Sequence, residues 1–245
     1  MCTLSFYPKP DNNGFILTFS RDEMPNRSSV EIVKDAKRGL IYPKDVLHGG
    51  TWFAVSQTKG RFTCLLNGAF EIHKRHLPYR KSRGLVLLES FEYSTIQDFW
   101  KAYDFTNIEP FTMISGENNH FWELRWDGFR RHSRQIDKRK SGIWSSCTLY
   151  NSEVRSKREK WFSDFLKSKK GVLDAALLWL FHQTPHIDEP EIGILMRRPL
   201  GAATVSITQL NYLYSSQTID FQYYELGEHN FSHHQIPYGQ ATLAH

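Results

Sequence analysis

The chain has 245 residues, of which 40% are hydrophobic and 23% are charged, and its formal net charge is +5. These proportions are typical of a folded globular protein and exclude a largely disordered chain. The basic footprint is weaker and less continuous than nucleic-acid binding requires. No apolar run reaches the roughly 20 residues that a membrane-spanning helix needs. We therefore predict neither a nucleic-acid partner nor a membrane span.

The N-terminal residues and the cysteines bear on location and metal binding. The opening residues, MCTLSFYPKPDNNG, lack the basic stretch and long apolar segment of a secretory signal, which predicts a cytoplasmic protein. Cys2, Cys64 and Cys147 are spaced as neither a disulfide framework nor a zinc site. The C-terminal histidines also lack the spacing of metal ligands, and we predict no metal site.

The first half of the chain predicts hairpins. Apolar and polar residues alternate over residues 2–7 and 15–20, on either side of a turn rich in Pro, Asn and Gly. Residues 24–50 are predicted to form a long irregular loop. The elements predicted next are a second hairpin (51–56 and 61–67), an apolar run (85–88), a helix from a Ser94 cap to Tyr103, and strands at 111–115, 120–126 and 142–146.

The second half adds helices. Ser152 is placed to cap a helix over residues 153–168, in which the basic run from Arg155 to Lys160 is predicted to form a solvated face. A second helix (172–182), two strands (about 202–210 and 218–226) and a polar tail (228–245) follow. Strands and helices do not alternate regularly, so we predict an α+β fold of mainly antiparallel sheets with helices outside. No linker is visible, which predicts one domain over residues 1–245.

The opening hairpin brings reactive groups together. With its tip between Tyr7 and Gly14, antiparallel pairing places Cys2 opposite Phe19 or Ser20, and residues 21–22 lie just beyond. If the initiator Met is removed, Cys2 acquires a free α-amine with a pKa near 7.7–8, which can act as a general base for the thiol.

Two further groups complete this arrangement. The guanidinium of Arg21 is expected to lower the pKa of the Cys2 thiol and favour the thiolate. The carboxylate of Asp22 is expected to orient the ammonium form of the amine. A structural ion pair between Arg21 and Asp22 that closes the hairpin is the alternative interpretation.

These residues resemble a known family. The segments MCTLSFYP, FILTFSRDE and GGTWFAVS look like blocks of the NRDE family, whose eukaryotic members are called transport and Golgi organisation 2 proteins. The family is named for an Asn-Arg-Asp-Glu run, at which this chain has Ser20-Arg21-Asp22-Glu23. Asn67 matches a third block and Ser82-Arg83-Gly84 a fourth, over roughly residues 1–90.

The resemblance extends to Cys-type N-terminal-nucleophile (Ntn) hydrolases that cleave conjugated bile salts and penicillin V. It implies a four-layer αββα sandwich and hydrolysis of a linear, non-peptide amide bond without a cofactor. It makes Cys2 the nucleophile and base, Arg21 a stabiliser of thiolate or substrate, and Asp22 the partner of the α-amine. Asn67 becomes an oxyanion donor, a role worth about 2.7–4 kcal/mol of barrier. The substrate contacts implied are Ser20, Thr51, Trp52 and Ser145.

Other interpretations stay open. Asn67 at a strand end is also typical of a turn. The segment 144–148 offers hydroxyls where the hydrolases have a later Asn, and neither Arg197 nor Arg198 aligns with their late Arg. The resemblance equally allows a non-catalytic protein that uses the same pocket for haem, a lipid or acyl-CoA. The partner is then a small amide or a lipid-like ligand, and nothing in the sequence indicates the oligomeric state.

Overall fold

The computed structural model describes residues 2–27, 30–117, 119–169, 173–199 and 201–238. They form two compact units, the first from the described residues of 1–28 and 139–236, and the second from those of 29–138 and 237–245. Each unit contains one antiparallel sheet and two α-helices. The predicted α+β class with two antiparallel sheets is confirmed. No helix in the described part of the chain is both long and apolar enough to cross a membrane.

The first unit contains a six-stranded sheet of order β10-β1-β2-β11-β12-β13. Its strands are β1 (Cys2–Pro8), β2 (Gly14–Glu23), β10 (Gly142–Ser145), β11 (Ala203–Leu213), β12 (Thr218–Glu225) and β13 (Asn230–Pro237). Helices α3 (Ser152–Ser168) and α4 (Ala175–Gln183) pack on one face of this sheet, where Ile16 of β2 contacts Phe162, Leu178 and Phe181.

The second unit contains a seven-stranded sheet in which the strands follow in chain order. They are β3 (Val30–Asp35), β4 (Leu40–Asp45), β5 (Phe53–Ser56), β6 (Phe62–Asn67), β7 (Phe111–Glu117), β8 (His120–Trp126) and β9 (Arg131–Ile136). Helices α1 (Arg83–Ser90) and α2 (Ile96–Ala102) connect β6 to β7 and cover one face through an aromatic-rich core that includes Phe99, Phe105 and Phe111.

The opening hairpin is present, but the predicted register is wrong. Cys2 pairs with Arg21, and the pairing continues to Pro8 with Phe15. The connecting loop is centred later than predicted, because β1 extends through Pro8 and the Lys9 N–H donates to the Gly14 carbonyl at 2.9 Å. The slip leaves Cys2 directly opposite Arg21, which strengthens the relation between these two residues.

The predicted irregular loop at 24–50 is also wrong. Residues Val30–Asp35 and Leu40–Asp45 pair as a hairpin, β3–β4. Pro43 argued against a strand because proline lacks the N–H that a central strand donates. In the structure β4 pairs with β5 only at Leu40 and Ile41, so nothing on that side requires a donor at Pro43.

Other boundaries shift by a few residues. The helix caps are Thr95 and Asn151 rather than Ser94 and Ser152, and α4 starts at Ala175, while residue 172 of the predicted helix lies outside the described residues. The strands β9 and β13 were not predicted, because both are polar and largely exposed. Part of the predicted polar tail is therefore an edge strand, and residues 239–245 lie outside the described residues.

Candidate functional site

Cys2 begins β1 and lies between two neighbouring strands. On one side it pairs with Arg21 of β2, and on the other the Ser146 N–H donates to the Cys2 carbonyl at 3.0 Å. Directly opposite residues of an antiparallel pair point to the same face. The Cys2 and Arg21 side chains therefore share the face away from α3 and α4.

A row of polar side chains crosses four strands on this face. Register places Arg21 beside Cys2, Ser206 beside Arg21, and Glu225 beside Ser206. All four are buried, with 1–3% of their surface exposed. The rows that follow are mainly apolar, and the next includes Leu4 and Phe19. Neither Ser206 nor Glu225 was predicted, since both lie more than 200 residues from Cys2 in sequence.

The Cys2 thiol is not a preformed thiolate. Burial raises its pKa to about 11, because the thiolate loses its solvating water, and the negative charge of Asp22 acts in the same direction. The Arg21 guanidinium acts on this pKa in the expected direction and lowers it, but the effect of burial is larger. At pH 7 the group is a neutral thiol that needs a base.

Arg21 is held by its neighbours. Its Nη1 donates to the Arg27 carbonyl at 2.7 Å, which ties the guanidinium to the segment after β2. Burial and the nearby Glu228 raise the pKa of Glu225, while the positive charge of Arg21 lowers it. Arg21 is therefore a buried cation that acts on Cys2 on one side and on Glu225 on the other.

Asp22 lies on the opposite face of the sheet, towards α3. The Thr204 hydroxyl donates to its Oδ1 at 2.7 Å and the Tyr150 hydroxyl donates to its Oδ2 at 2.9 Å. Burial raises the pKa of Asp22, and the Arg158 guanidinium acts against this. The backbone nitrogen of Cys2 lies in the plane of the sheet, between the two faces. Asp22 is nevertheless close enough to raise the pKa of the Cys2 thiol.

A bulge in β11 places neighbouring side chains of this strand on both faces of the sheet. The register shifts between Thr204 and Ser206, so Thr204 pairs with Asp22 while Ser206 pairs with Arg21. In a regular strand the side chains of residues two apart point to the same face. The unpaired residue between Thr204 and Ser206 places these two side chains on opposite faces of the sheet. The bulge therefore lets one strand contact both members of the Arg21–Asp22 pair.

Arg158 corrects a prediction made from the charge pattern. The basic run from Arg155 to Lys160 was expected to be solvated, yet Arg158 is fully buried, with its guanidinium carbon 3.9 Å from the centroid of the Tyr150 ring. The sequence carried a signal for this: positions 158, 161, 162 and 165 form one helical stripe, and the last three are aromatic. Arg158 is the cation that opposes the buried charge of Asp22.

The sequence model of the family described as Transport and Golgi organisation 2 matches residues 1–221. The chain belongs to this family. The match runs from β1 into β12, and it confirms the resemblance drawn from the sequence blocks. A search of curated proteins found no match.

Ser20, at the position of the family's Asn, lies on the opposite face from Cys2. Its hydroxyl is 2.7 Å from Nδ1 of His182, and the hydroxyl of Ser5 is 2.7 Å from Nε2 of the same ring. All three residues are fully buried. The Ser20 hydroxyl therefore joins β2 to α4, on the face opposite the Cys2 thiol, which argues against the predicted substrate contact.

The buried His182 predicts a pH-dependent stability. Burial, together with the charge of Arg158, lowers its pKa to about 3 from an unfolded value near 6.5. Between these values the unfolded chain binds a proton that the folded chain does not. The contribution of neutral His182 is thus complete above about pH 6.5 and is lost as the pH falls towards 3, by about 1.4 kcal/mol per pH unit.

Urea unfolding of wild type and His182→Gln across this pH range measures the effect. Glutamine can hydrogen-bond to both serines but does not titrate. We therefore expect the free energy of unfolding of the variant to fall less steeply with decreasing pH than that of wild type. Equal slopes in the two proteins would contradict the assignment.

The remaining predicted contacts divide between the units. In the first, Ser145 is half-buried and pairs with Thr3 rather than Cys2, so it too faces away from the thiol. In the second, Trp52 is buried, and Asn67 ends β6 opposite Phe111. The Thr51 hydroxyl lies 2.6 Å from the Pro43 carbonyl and accepts from the Phe53 N–H. The hydroxyl therefore bonds to the two strands that flank its loop, β4 and β5, which indicates a structural role.

Two sequence blocks that identify the family meet inside the second unit. Gly50, in the block GGTWFAVS, lies against Gly84, in the block Ser82-Arg83-Gly84. The Thr51 N–H donates to the Gly84 carbonyl at 3.4 Å. A Cβ at Gly84 would lie 2.8 Å from the backbone N and O of Thr51. These glycines therefore allow two backbone segments to cross, where a side chain would separate them.

Gly84→Ala is accordingly expected to destabilise the protein by about 1–3 kcal/mol, the usual cost of overpacking. Without the clash, alanine in a helix would stabilise by up to about 1 kcal/mol. Gly201→Ala is the matched control, because its Cβ would meet nothing closer than 3.8 Å. Chemical denaturation of both variants checks this, and an unchanged Gly84→Ala midpoint would rule out the tight crossing.

Among the residues that the structure describes, no three His, Cys, Asp or Glu side chains are grouped to hold a metal ion.

Proposed function

We propose that this protein is a Cys-dependent Ntn amidohydrolase that cleaves a linear, non-peptide C–N bond. Its nucleophile is Cys2, which becomes the first residue of the chain when Met1 is removed. The observation that carries the proposal is the position of Cys2 at the start of β1, opposite Arg21 and within electrostatic reach of Asp22. Family membership and the resemblance of the opening blocks to Ntn hydrolases support it.

The raised pKa of Cys2 favours activation by proton transfer. The resting thiol is neutral, and the α-amine of the same residue accepts its proton as the sulfur attacks the substrate carbonyl carbon. The ammonium then returns this proton to the departing amine, and the C–N bond breaks to leave a thioester. Water, deprotonated by the same amine, attacks the thioester carbon. The C–S bond then breaks, the carboxylic acid leaves, and the ammonium returns its proton to the sulfur, which restores the neutral thiol.

Asp22 is the partner of the ammonium. Thr204 and Tyr150 each occupy one lone pair of its carboxylate, so each oxygen keeps further acceptor capacity. The positive charge that develops on the amine during attack is stabilised by this carboxylate. Burial raises the pKa of the Tyr150 hydroxyl far above its ordinary value, so it remains a neutral donor to Asp22.

Arg21 supplies positive charge on the same face as the thiol. We assign Arg21 the role of stabilising the bound substrate, because its effect on the pKa of Cys2 is smaller than the effect of burial. Asn67 is the oxyanion donor that the resemblance implies, a role worth about 2.7–4 kcal/mol of barrier. The scheme requires no cofactor. A single domain over residues 1–245 and a cytoplasmic location are retained as further proposals.

The first experiment is an intact-mass measurement of the purified protein with and without a β-lactam electrophile. We expect the mass of a chain that begins at Cys2, and a single adduct that peptide mapping places on Cys2. A protein that retains Met1 quantitatively cannot use this mechanism.

A non-catalytic protein that binds haem, a lipid or acyl-CoA at the same place is the second candidate. The observation that favours it is the buried, neutral thiol, since burial lowers nucleophilic reactivity. Haem titration separates the candidates. A Soret band that disappears in Cys2→Ala supports binding through the thiol, and no spectral change counts against it.

A further inference from the structure

The exposed large hydrophobic side chains of the second unit all lie at one end of its sheet. They occur on three loops, the β4–β5, β6–α1 and β8–β9 connections: Val46, Leu47, Phe70, Ile72, Leu77 and Phe129. Leu47, Ile72, Leu77 and Phe129 each expose 70% or more of their surface, and Phe129 exposes 90%. Of the described residues at the opposite end, none is an exposed large hydrophobic.

The topology explains why these loops meet. In an antiparallel sheet that follows chain order, alternate connections lie at the same end. Asn67 at the end of β6 pairs with Phe111 at the start of β7, which pairs with Trp126 at the end of β8. The β4–β5 loop joins the same end through the contact between Gly50 and Gly84.

Side-chain contacts hold two of the loops together. The Phe70 ring lies 5.0 Å from the His132 ring, and the Arg125 guanidinium lies 4.9 Å from the centroid of Phe70. His132 in turn lies 2.7 Å from Asp127, in the hairpin loop that presents Phe129. The β6–α1 loop and the tip of the β8–β9 hairpin therefore form one surface. The β4–β5 loop joins it through Gly50 and Gly84, and the segment before β7 joins it through hydrogen bonds from Arg80 and Arg83 to the Thr106 and Pro110 carbonyls. We call this surface the apolar end.

The apolar end is also basic. Its segments 46–51, 68–83, 103–110 and 127–131 contain seven Lys or Arg residues and four Asp or Glu residues. Two of the acids pair with three of these cations: Glu109 with Arg75 and Arg83, both at 3.1 Å, and Asp104 with Arg80, so the surface keeps a positive excess. Lys74 and Arg130 are exposed next to the apolar tips.

We propose that the apolar end binds the surface of an anionic phospholipid bilayer. Exposed apolar side chains of this extent mark interaction sites in soluble proteins. Here they stand on separate loop tips and are interleaved with cations, which suits shallow insertion among lipid headgroups. Lysine and arginine side chains near such a surface are attracted by its negative charge. The proposal is independent of the chemistry assigned to Cys2.

Vesicle co-sedimentation of the full-length protein tests this surface. We expect binding to vesicles of phosphatidylcholine with phosphatidylserine, little binding to phosphatidylcholine alone, and weaker binding as salt rises. Ile72→Ser with Phe129→Ser should weaken binding at least about tenfold through the lost apolar burial. Lys74→Glu with Arg130→Glu should weaken it by a similar factor.

Matched control variants distinguish binding through this surface from non-specific adsorption to the vesicles. Ile187→Ser removes an 85% exposed side chain of the first unit, and Lys37→Glu reverses an exposed charge at the opposite end of the second sheet. Both should leave binding within about twofold of wild type. Equal binding to neutral vesicles, or no vesicle binding at all, overturns the proposal. So does a result in which the double variants change only self-association in sedimentation velocity.

Discussion

Replacement of Cys2 by alanine is expected to abolish amide hydrolysis, with kcat/KM lowered by at least about 10⁴. The factor follows from enzymes in which removal of the nucleophile leaves only binding and oxyanion stabilisation. Alanine is small, so Met1 should still be removed and the α-amine retained. The variant therefore tests the sulfur and not the processing. Penicillin V and a conjugated bile salt are the probe substrates, and release of free amine is the measurement.

Cys147→Ala provides the matched control. Cys147 is also buried, and it follows Ser146, whose N–H contacts the Cys2 carbonyl. We expect this variant to retain activity within a few-fold of wild type, because its sulfur has no role in the proposed steps. Hydrolysis that persists in Cys2→Ala would show that another group is the nucleophile. If wild type cleaves neither probe, the binding candidate gains support.

Arg158→Met is expected to lower the free energy of unfolding by about 3–5 kcal/mol. The substitution keeps most of the side-chain volume but removes the cation that opposes Asp22 in a fully buried environment. Leaving a buried charge without its partner usually costs this much. Urea denaturation followed by circular dichroism is the measurement. Lys160→Met on the same helix is the control, since its exposed ion pair with Asp164 should be worth less than about 1 kcal/mol.

A double variant identifies the cause of the loss. If Arg158 stabilises mainly by opposing Asp22, then Arg158→Met with Asp22→Asn should be less destabilised than the sum of the single variants. Additive losses would mean that Arg158 contributes through its packing on Tyr150 instead. A loss under about 1 kcal/mol in Arg158→Met alone would contradict the electrostatic role.

Local sequence patterns identified much of the region around Cys2. Alternation predicted β1 and β2, and it placed Arg21 close to Cys2 although the register was wrong. The register depends on where the loop is centred, and the Lys9 to Gly14 hydrogen bond that determines it is not evident from residue types. The β3–β4 hairpin was missed because of Pro43. A proline disrupts a strand only where the neighbouring strand requires an N–H donor at that position, and the sequence does not show where that is.

Other features became visible only across long sequence distances. Ser206 and Glu225 lie in the same row as Cys2 because of the order of the strands in the sheet, and no local sequence pattern reveals that order. The bulge at Thr204 and Ser206 determines which hydroxyl reaches Asp22 and which lies beside Arg21. The contact between Gly50 and Gly84 gives a structural reason for two family blocks, of which one contains the predicted substrate contacts Thr51 and Trp52.

The amino-acid sequence alone determined the family, the α+β class, most of the elements and the association of Cys2 with Arg21, because these follow from short-range periodicity and from ordered sequence blocks. The tertiary structure alone decided the burial of Cys2 and Arg158, the orientation of Ser20 and the clustering of exposed apolar loops. Each of these depends on which residues exclude water from a given group, and that is settled by elements distant in the chain.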